Sequence, residues 1–224
     1  IAHEIKNPLS PIQLSIETLR KTRAQRNPAF DEIFDESTRT VLEEVERLRR
    51  IVSEFSEFAR MPRPQPSDVD VREVVEHVVR LVQPDGPDPE VRLEGDRSRV
   101  VRADRGQLVQ VFMNLVKNGL EAARQMRGAG SAAVVIRIEP HVDGVTVHVD
   151  DNGVGIPEAE RARVFDPYHS TKVGGSGLGL SVVARVVEEH GGHIEIASAP
   201  LGGARVSVFL SATGPALDAA LTAG

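Results

Sequence analysis

The stretch "MPRPQP" at 61–66 separates two kinds of hydrophobic pattern, and reading it as a boundary decides the fold. Three prolines in five residues fix φ and delete backbone donors, so the segment favours an extended polyproline conformation and should act as a short, semi-rigid spacer. Upstream of it, apolar residues recur at alternating spacings of four and three. Ile5, Leu9, Ile12, Ile16 and Leu19 form one stripe; Val41, Val45, Leu48, Val52, Phe55 and Ala59 form a second, widened by Leu42, Ile51 and Phe58. This spacing predicts helices over 1–22 and 31–60, broken at "RNPAF" around Pro28, and therefore an antiparallel hairpin. Two helices cannot cover stripes this wide. The economical packing is a four-helix bundle made by two copies, that is, a homodimer.

Downstream of the prolines the pattern turns to mixed helix and strand. Helices are expected near 71–83, 105–126 and 178–190, and strands at 91–94, 99–103, 134–139, 145–150, 193–198 and 204–210. Alternation in "VTVHVD" and "ARVSVFL" indicates a sheet with one covered face, an α+β layer. The expected organisation is a helical hairpin over 1–61, a Pro-rich linker over 62–67, an α+β domain over 68–212 and a frayed, flexible tail over 213–224.

Composition sets outer limits. With 40% hydrophobic and 27% charged residues in 224, the chain has an ordinary globular make-up. Its net charge of -6 argues against nucleic-acid binding, since no basic excess is present to displace counterions, and "RLRR" at 47–50 reads as a solvated helix face. Without cysteine there are neither disulfides nor thiolate metal sites. No apolar run reaches transmembrane length and no signal peptide is apparent. The chain begins in mid-pattern without a methionine, so it is expected to be a piece of a longer protein, with any membrane attachment made by segments outside it.

Several residues stand out chemically. His3 lies roughly 160° round the helix from the centre of the apolar stripe, with Glu4 beside it and Asn7 one turn further along the same exposed side. Pro8 and Pro11 follow at once and are expected to bend the helix there. In "QVFMNLVKNGLEAA", Asn114 and Asn118 are one turn apart, and amide oxygens are hard ligands suited to magnesium, which takes few protein ligands. "VDDNGVGIP" runs a strand into Asp151, followed by Gly153 and Gly155. The carboxylate can accept from an exocyclic amine, and the glycines permit close approach of a ligand. "GGSGLGLSVV" sets Gly175, Gly177 and Gly179 directly before a helix, where free N–H groups and the helix dipole favour phosphate. Between the two glycine motifs, "RVFDPYHSTKVG" reads as a lid over the site and carries Lys172, a suitable phosphate partner, and His169. The histidines at 77, 141, 148, 190 and 193 lack comparable context and are read as structural.

In order and spacing these motifs resemble, over nearly the whole chain, the sensor histidine kinases of two-component systems. "HEIKNP" is similar to their H box, "NLVKNGLEA" to the N box, "DNGVGI" to the first glycine box, "FDPYHSTK" to the F box and "GSGLGLS" to the second glycine box. "HEIKNPLSPIQLS" and "FSEFARMPRP" are similar to the NtrY-like, nitrogen-regulation subgroup. The resemblance implies a dimerisation and phosphotransfer hairpin followed by an ATP-binding α+β sandwich of the kind shared with gyrase, Hsp90 and MutL. It implies that His3 is the nucleophile towards the γ-phosphate of ATP and that Glu4 orients its ring. Asn114 and Asn118 would lie in the nucleotide site, with Asn118 holding Mg2+. Asp151 would read the adenine, with Gly153 and Gly155 beside it. Lys172, Gly175, Gly177, Leu178 and Gly179 would surround the phosphates. The implied partner is the receiver domain of a response regulator, of the NtrC type for this subgroup, and Asn7 would serve a phosphatase activity towards it. The ATPases of the superfamily carry a glutamate where this chain has Asn114, and an amide is no general base, so the resemblance favours phosphotransfer over hydrolysis.

Overall fold

The computed structural model describes residues 2–59, 62–83, 90–167 and 177–214, with the side chains of 2–4, 50, 54, 57–59 and 129 excepted. The described residues fall into two compact units, 2–59 with 177–178 and 62–167 with 179–214.

The first unit is a helical hairpin of α1 (Ala2–Ala24) and α2 (Phe30–Ala59), which pack on each other. α1 contains Pro8 and Pro11 without being ended by them. It stops at Ala24, where Arg26 takes a left-handed φ of +48°, Asn27 N donates to Thr22 O (3.1 Å) and Arg26 N to Arg23 O (3.1 Å). Asn27 Oδ1 then accepts from Ala29 N (2.9 Å) and leads the chain into α2. The apolar stripes divide between two directions. Pro8 and Ile51 are buried and Ile12, Leu19, Leu48 and Phe55 are half-buried, whereas Leu9, Ile16, Leu42, Val45 and Val52 remain between 45% and 67% exposed.

The second unit is a two-layer α+β sandwich, as the periodicities predict. Its strands are β1 (Ser67–Asp70), β2 (Val91–Glu94), β3 (Val100–Ala103), β4 (Val134–Pro140), β5 (Gly144–Asp151), β6 (His193–Ser198) and β7 (Ala204–Ser211). Its helices are α3 (Val71–Val82), α4 (Arg105–Arg127) and α5 (Gly179–Glu189). Five strands form one sheet in the order β2-β4-β5-β7-β6; β2 runs parallel to β4 and the other pairs are antiparallel. The short β1 is not evident from "SDVD", which lacks an apolar alternation; it is a strand because it pairs with β3 over Ser67↔Ala103 to Asp70↔Val100.

All three helices lie on one face of the large sheet. There Val74, Val78, Leu108, Val111, Phe112, Leu115, Val183 and Val186 meet Val134, Ile136, Val147 and Val208, all buried. The other face carries the alternate residues Arg137, Glu139, His148, Asp150, Arg205 and Ser207. Asp70 and Asp104 cap α3 and α4, their carboxylates accepting from Arg72 N and Gln107 N.

The proline segment is more than a spacer. Gln65 N donates to Asp104 Oδ2 (2.9 Å) and Gln107 Nε2 to Pro62 O (2.9 Å), so residues 62–65 are strapped onto the start of α4. The expected tail lies, from 215 on, outside the described residues.

Candidate nucleotide site

The site is built from α4, the end of β5 and the start of α5. α4 is anchored at its first turn by Asp104, whose main-chain N–H donates to His190 Nε2 at 3.0 Å while His190 Nδ1 donates to Val186 O at 2.8 Å. His190 is 1% exposed, and its imidazole joins the end of α5 to the cap of α4. This gives the structural reading of that histidine its physical content. His148 is likewise engaged on the open sheet face, by Ser207 Oγ (2.8 Å) and Glu139 Oε2 (3.3 Å).

From this anchor α4 carries Asn114 and Asn118 to the first residue of α5. Asn114 Nδ2 donates to Gly179 O at 3.3 Å, and a Cβ on Gly179 would lie 3.7 Å from Asn118 Nδ2. The next residue of α4, Gly119, faces the last residue of β5; a Cβ there would come within 3.1 Å of Val134 Cγ2 and 3.3 Å of Asp151 Cβ. Asn114, Asn118, Asp151 and the N-terminus of α5 are thereby gathered at one end of the unit. A helix N-terminus, with its dipole, is favourable for phosphate oxygens.

Asp151 is 7% exposed, and its Oδ1 accepts from Gly153 N (2.8 Å) and Ala204 N (3.2 Å). Gly153 allows the loop to rest on α4, since a Cβ would stand 2.6 Å from the Ala122 carbonyl carbon, and Gly155 takes φ +74°. Asn152, between Asp151 and Gly153, is a staple: its Oδ1 accepts from Ala133 N (2.9 Å) and its Nδ2 donates to Ser131 O (2.8 Å). Before α5, Gly177 adopts φ +67° and Leu178 is buried.

Lys172, Gly175 and His169 lie outside the described residues, as do the side chains of His3 and Glu4. His3 and Glu4 are part of α1, on which Asn7 is exposed. That helix belongs to the other unit.

Sequence reasoning missed Asp150 and the turn before β7. Asp150 is fully buried on the sheet face opposite Asp151, where Arg205 Nε and Nη2 donate to Oδ1 (2.6 Å) and Oδ2 (2.7 Å) and Arg137 Nη1 to Oδ2 (2.6 Å). The hydrogen bond to Asp150 raises the Arg205 guanidinium above its ordinary value, against a smaller opposing effect of burial. The doubled aspartate and the doubled glycine of "LGGAR" were the available signals.

Residues 1–64 match the family described as the His Kinase A (phospho-acceptor) domain, and residues 103–214 match the histidine kinase-, DNA gyrase B- and HSP90-like ATPase family. The nitrogen regulation protein NtrY of Azorhizobium caulinodans is 40% identical over 96% of this chain and 28% of its own length. The sensor histidine kinase ZraS of Escherichia coli O157:H7 is 35% identical over 94% of this chain and 44% of its own. The chain thus spans less than half the length of these relatives. Among solved structures, histidine kinase ThkA in complex with the response regulator protein TrrA matches with a TM-score of 0.68 at 25% identity, over 95% of this chain and 60% of that one. The ATP-binding domain of PrrB from Mycobacterium tuberculosis matches with a TM-score of 0.54 at 28% identity, over 67% of this chain and 98% of that one.

Proposed function

Because the chain belongs to the sensor histidine kinases, with a phospho-acceptor hairpin ahead of an ATPase-type domain, we propose that it phosphorylates its own His3 from ATP and passes the phosphoryl group to an aspartate of a response regulator. The observation that carries this reading is the gathering of Asn114, Asn118, Asp151 and the start of α5 in one place. One ring nitrogen of His3 attacks the γ-phosphorus. An N–P bond forms, the bond to the β,γ-bridging oxygen breaks, and ADP leaves with that electron pair. Glu4 holds the N–H of the other ring nitrogen and stabilises the positive charge that develops on the imidazole. In the second step the N–P bond breaks as a partner carboxylate oxygen takes the phosphorus, and the imidazole returns to its neutral form.

Asp151 reads the adenine amine, and Lys172 with the glycine-rich backbone from Gly175 to Gly179 holds the phosphates. Asn118 is suited to Mg2+ because its amide, a hard donor, lies against the start of α5 where the phosphates would end. Bound there, the ion would neutralise phosphate charge. Asn114 is committed to Gly179 O, and as an amide it can take no proton from water, which supports phosphotransfer rather than hydrolysis. Asn7, exposed one turn from His3, would position water against the phosphoryl-aspartate of a docked regulator and so supply a phosphatase activity.

The uncovered Leu9, Ile16, Leu42, Val45 and Val52 support a homodimer in which a second hairpin completes a four-helix bundle. The regulator is of the NtrC type, a reading supported by the likeness to NtrY. Among the described residues no helix is long and apolar enough to cross a membrane. The chain would work as the cytoplasmic portion of an anchored sensor, its anchor lying in segments beyond this chain.

Incubation with γ-labelled ATP and magnesium tests the reading. Acid-labile label on the wild-type protein, and none on His3→Gln despite normal ATP binding, is the expected result. Retained acid-labile label in the variant refutes the nucleophile, and free phosphate without labelled protein refutes the kinase in favour of an ATPase.

A further inference from the structure

The consecutive aspartates at the end of β5 face opposite sides of the sheet, and one short piece of chain at the start of β7 holds both. On the helix side, Ala204 N donates to Asp151 Oδ1 at 3.2 Å, beside Gly153 N at 2.8 Å. A Cβ on Gly203 would stand 2.1 Å from that oxygen, 2.5 Å from the Asp151 carbonyl oxygen and 2.6 Å from Gly153 N. Only glycine lets the main chain come so near the carboxylate. On the open side, Arg205 is the register partner of Asp150 and grips its carboxylate in a two-point fork, with Arg137 of β4 as a third donor. A fork of this kind fixes orientation as well as distance, and removing it leaves the buried charge to Arg137 alone. The end of β5 is therefore clamped from both faces by neighbouring residues of β7.

We propose that Gly203, Ala204 and Arg205 form a positioning element that gives the nucleotide site its preference for adenine. They fix the plane of the Asp151 carboxylate, so that it accepts from the exocyclic amine of adenine and repels the carbonyl oxygen that guanine presents at the corresponding atom. The inference rests on the reading of Asp151 as the residue that contacts the base. It extends that reading by placing discrimination in residues that hold Asp151 rather than in those that meet the nucleotide.

The test is calorimetric titration of the full chain with ATP, GTP and inorganic tripolyphosphate, using Gly203→Ala, Arg205→Met, Arg205→Lys and Asp151→Asn. Gly203→Ala should lower ATP affinity by about 10²-fold, the scale of a misplacement of roughly 1 Å. It should also carry the ATP to GTP affinity ratio towards one and leave tripolyphosphate binding unchanged. Arg205→Met should move the ratio in the same direction, and Arg205→Lys should restore part of it, because lysine keeps the charge but not the fork. If Gly203→Ala fails to fold by circular dichroism, Arg205→Met decides; if both fail, Arg205→Lys does, with a ratio between one and the wild-type value expected. A wild-type ratio in the deciding variant, together with a lost preference in Asp151→Asn, overturns the positioning role and leaves the base contact standing. A wild-type ratio in Asp151→Asn overturns the base contact itself, and the inference with it. An equal loss of tripolyphosphate affinity in Gly203→Ala would mark general damage to the site and also overturn the proposal.

Discussion

Replacing His190 by leucine removes the polar joint between α5 and α4 while keeping an apolar side chain of similar bulk in its place. The ring accepts from Asp104 N at 3.0 Å and donates to Val186 O at 2.8 Å, and it is 1% exposed. In the variant, Asp104 N–H is left buried without an acceptor, at a cost of about 1–3 kcal/mol. The Val186 carbonyl keeps its helical partner, the N–H of residue 190 at 3.1 Å, so it adds little. Loosening the cap that Asp104 provides to α4 adds about 0.5–2 kcal/mol. The total is roughly 1.5–5 kcal/mol, and at about 2–4 °C per kcal/mol for a unit of this size the melting temperature should fall by roughly 3–20 °C. Thermal denaturation followed by far-UV circular dichroism measures this directly. His190→Gln, whose amide can accept and donate, should recover part of the loss. α4 also carries Asn114 and Asn118, so ATP affinity measured well below the transition should weaken in His190→Leu. A melting temperature within about 2 °C of wild type would refute the reasoning, because that is less than the smallest penalty for one unpaired buried N–H.

Asn118→Ala should abolish the magnesium dependence of nucleotide affinity and slow autophosphorylation with the circular dichroism spectrum unchanged; identical titrations with and without magnesium in wild type and variant would place the ion elsewhere. Lys172→Ala should weaken ATP by roughly 10–100-fold, the worth of one charge-assisted contact, and leave adenosine unaffected; equal losses for the two ligands would point to a folding defect. Asn7→Ala should keep autophosphorylation and transfer while slowing loss of phosphate from the regulator by about tenfold or more. Equal decay with wild type and variant, or collapse of autophosphorylation, would make Asn7 a structural residue.

What the sequence determined by itself were features carried by neighbouring residues. Hydrophobic period alone locates α3, α4 and α5 to within a residue or so, because each buries its own repeating face. It likewise locates β4 to β7, with the alternation cleanest along β7, where buried and half-buried side chains follow one another without a break. The order of the motifs was legible in the same way, and so was the Asp151–Gly153 turn, whose hydrogen bond spans two residues. Tertiary structure decided what depends on partners far along the chain. β1 exists only through its register with β3, and the proline segment is strapped to α4 by bonds across 39 and 45 residues. His190 finds its acceptor role 86 residues away, at a main-chain N–H that no side-chain pattern marks. Asp151 meets Ala204 across 53 residues because β7, not β6, lies beside β5 in the sheet. Strand order and register are set by how the whole apolar surface closes on itself, so contacts of this kind leave no period in the sequence, and the residues that hold the candidate site in shape emerge only once the sheet is assembled.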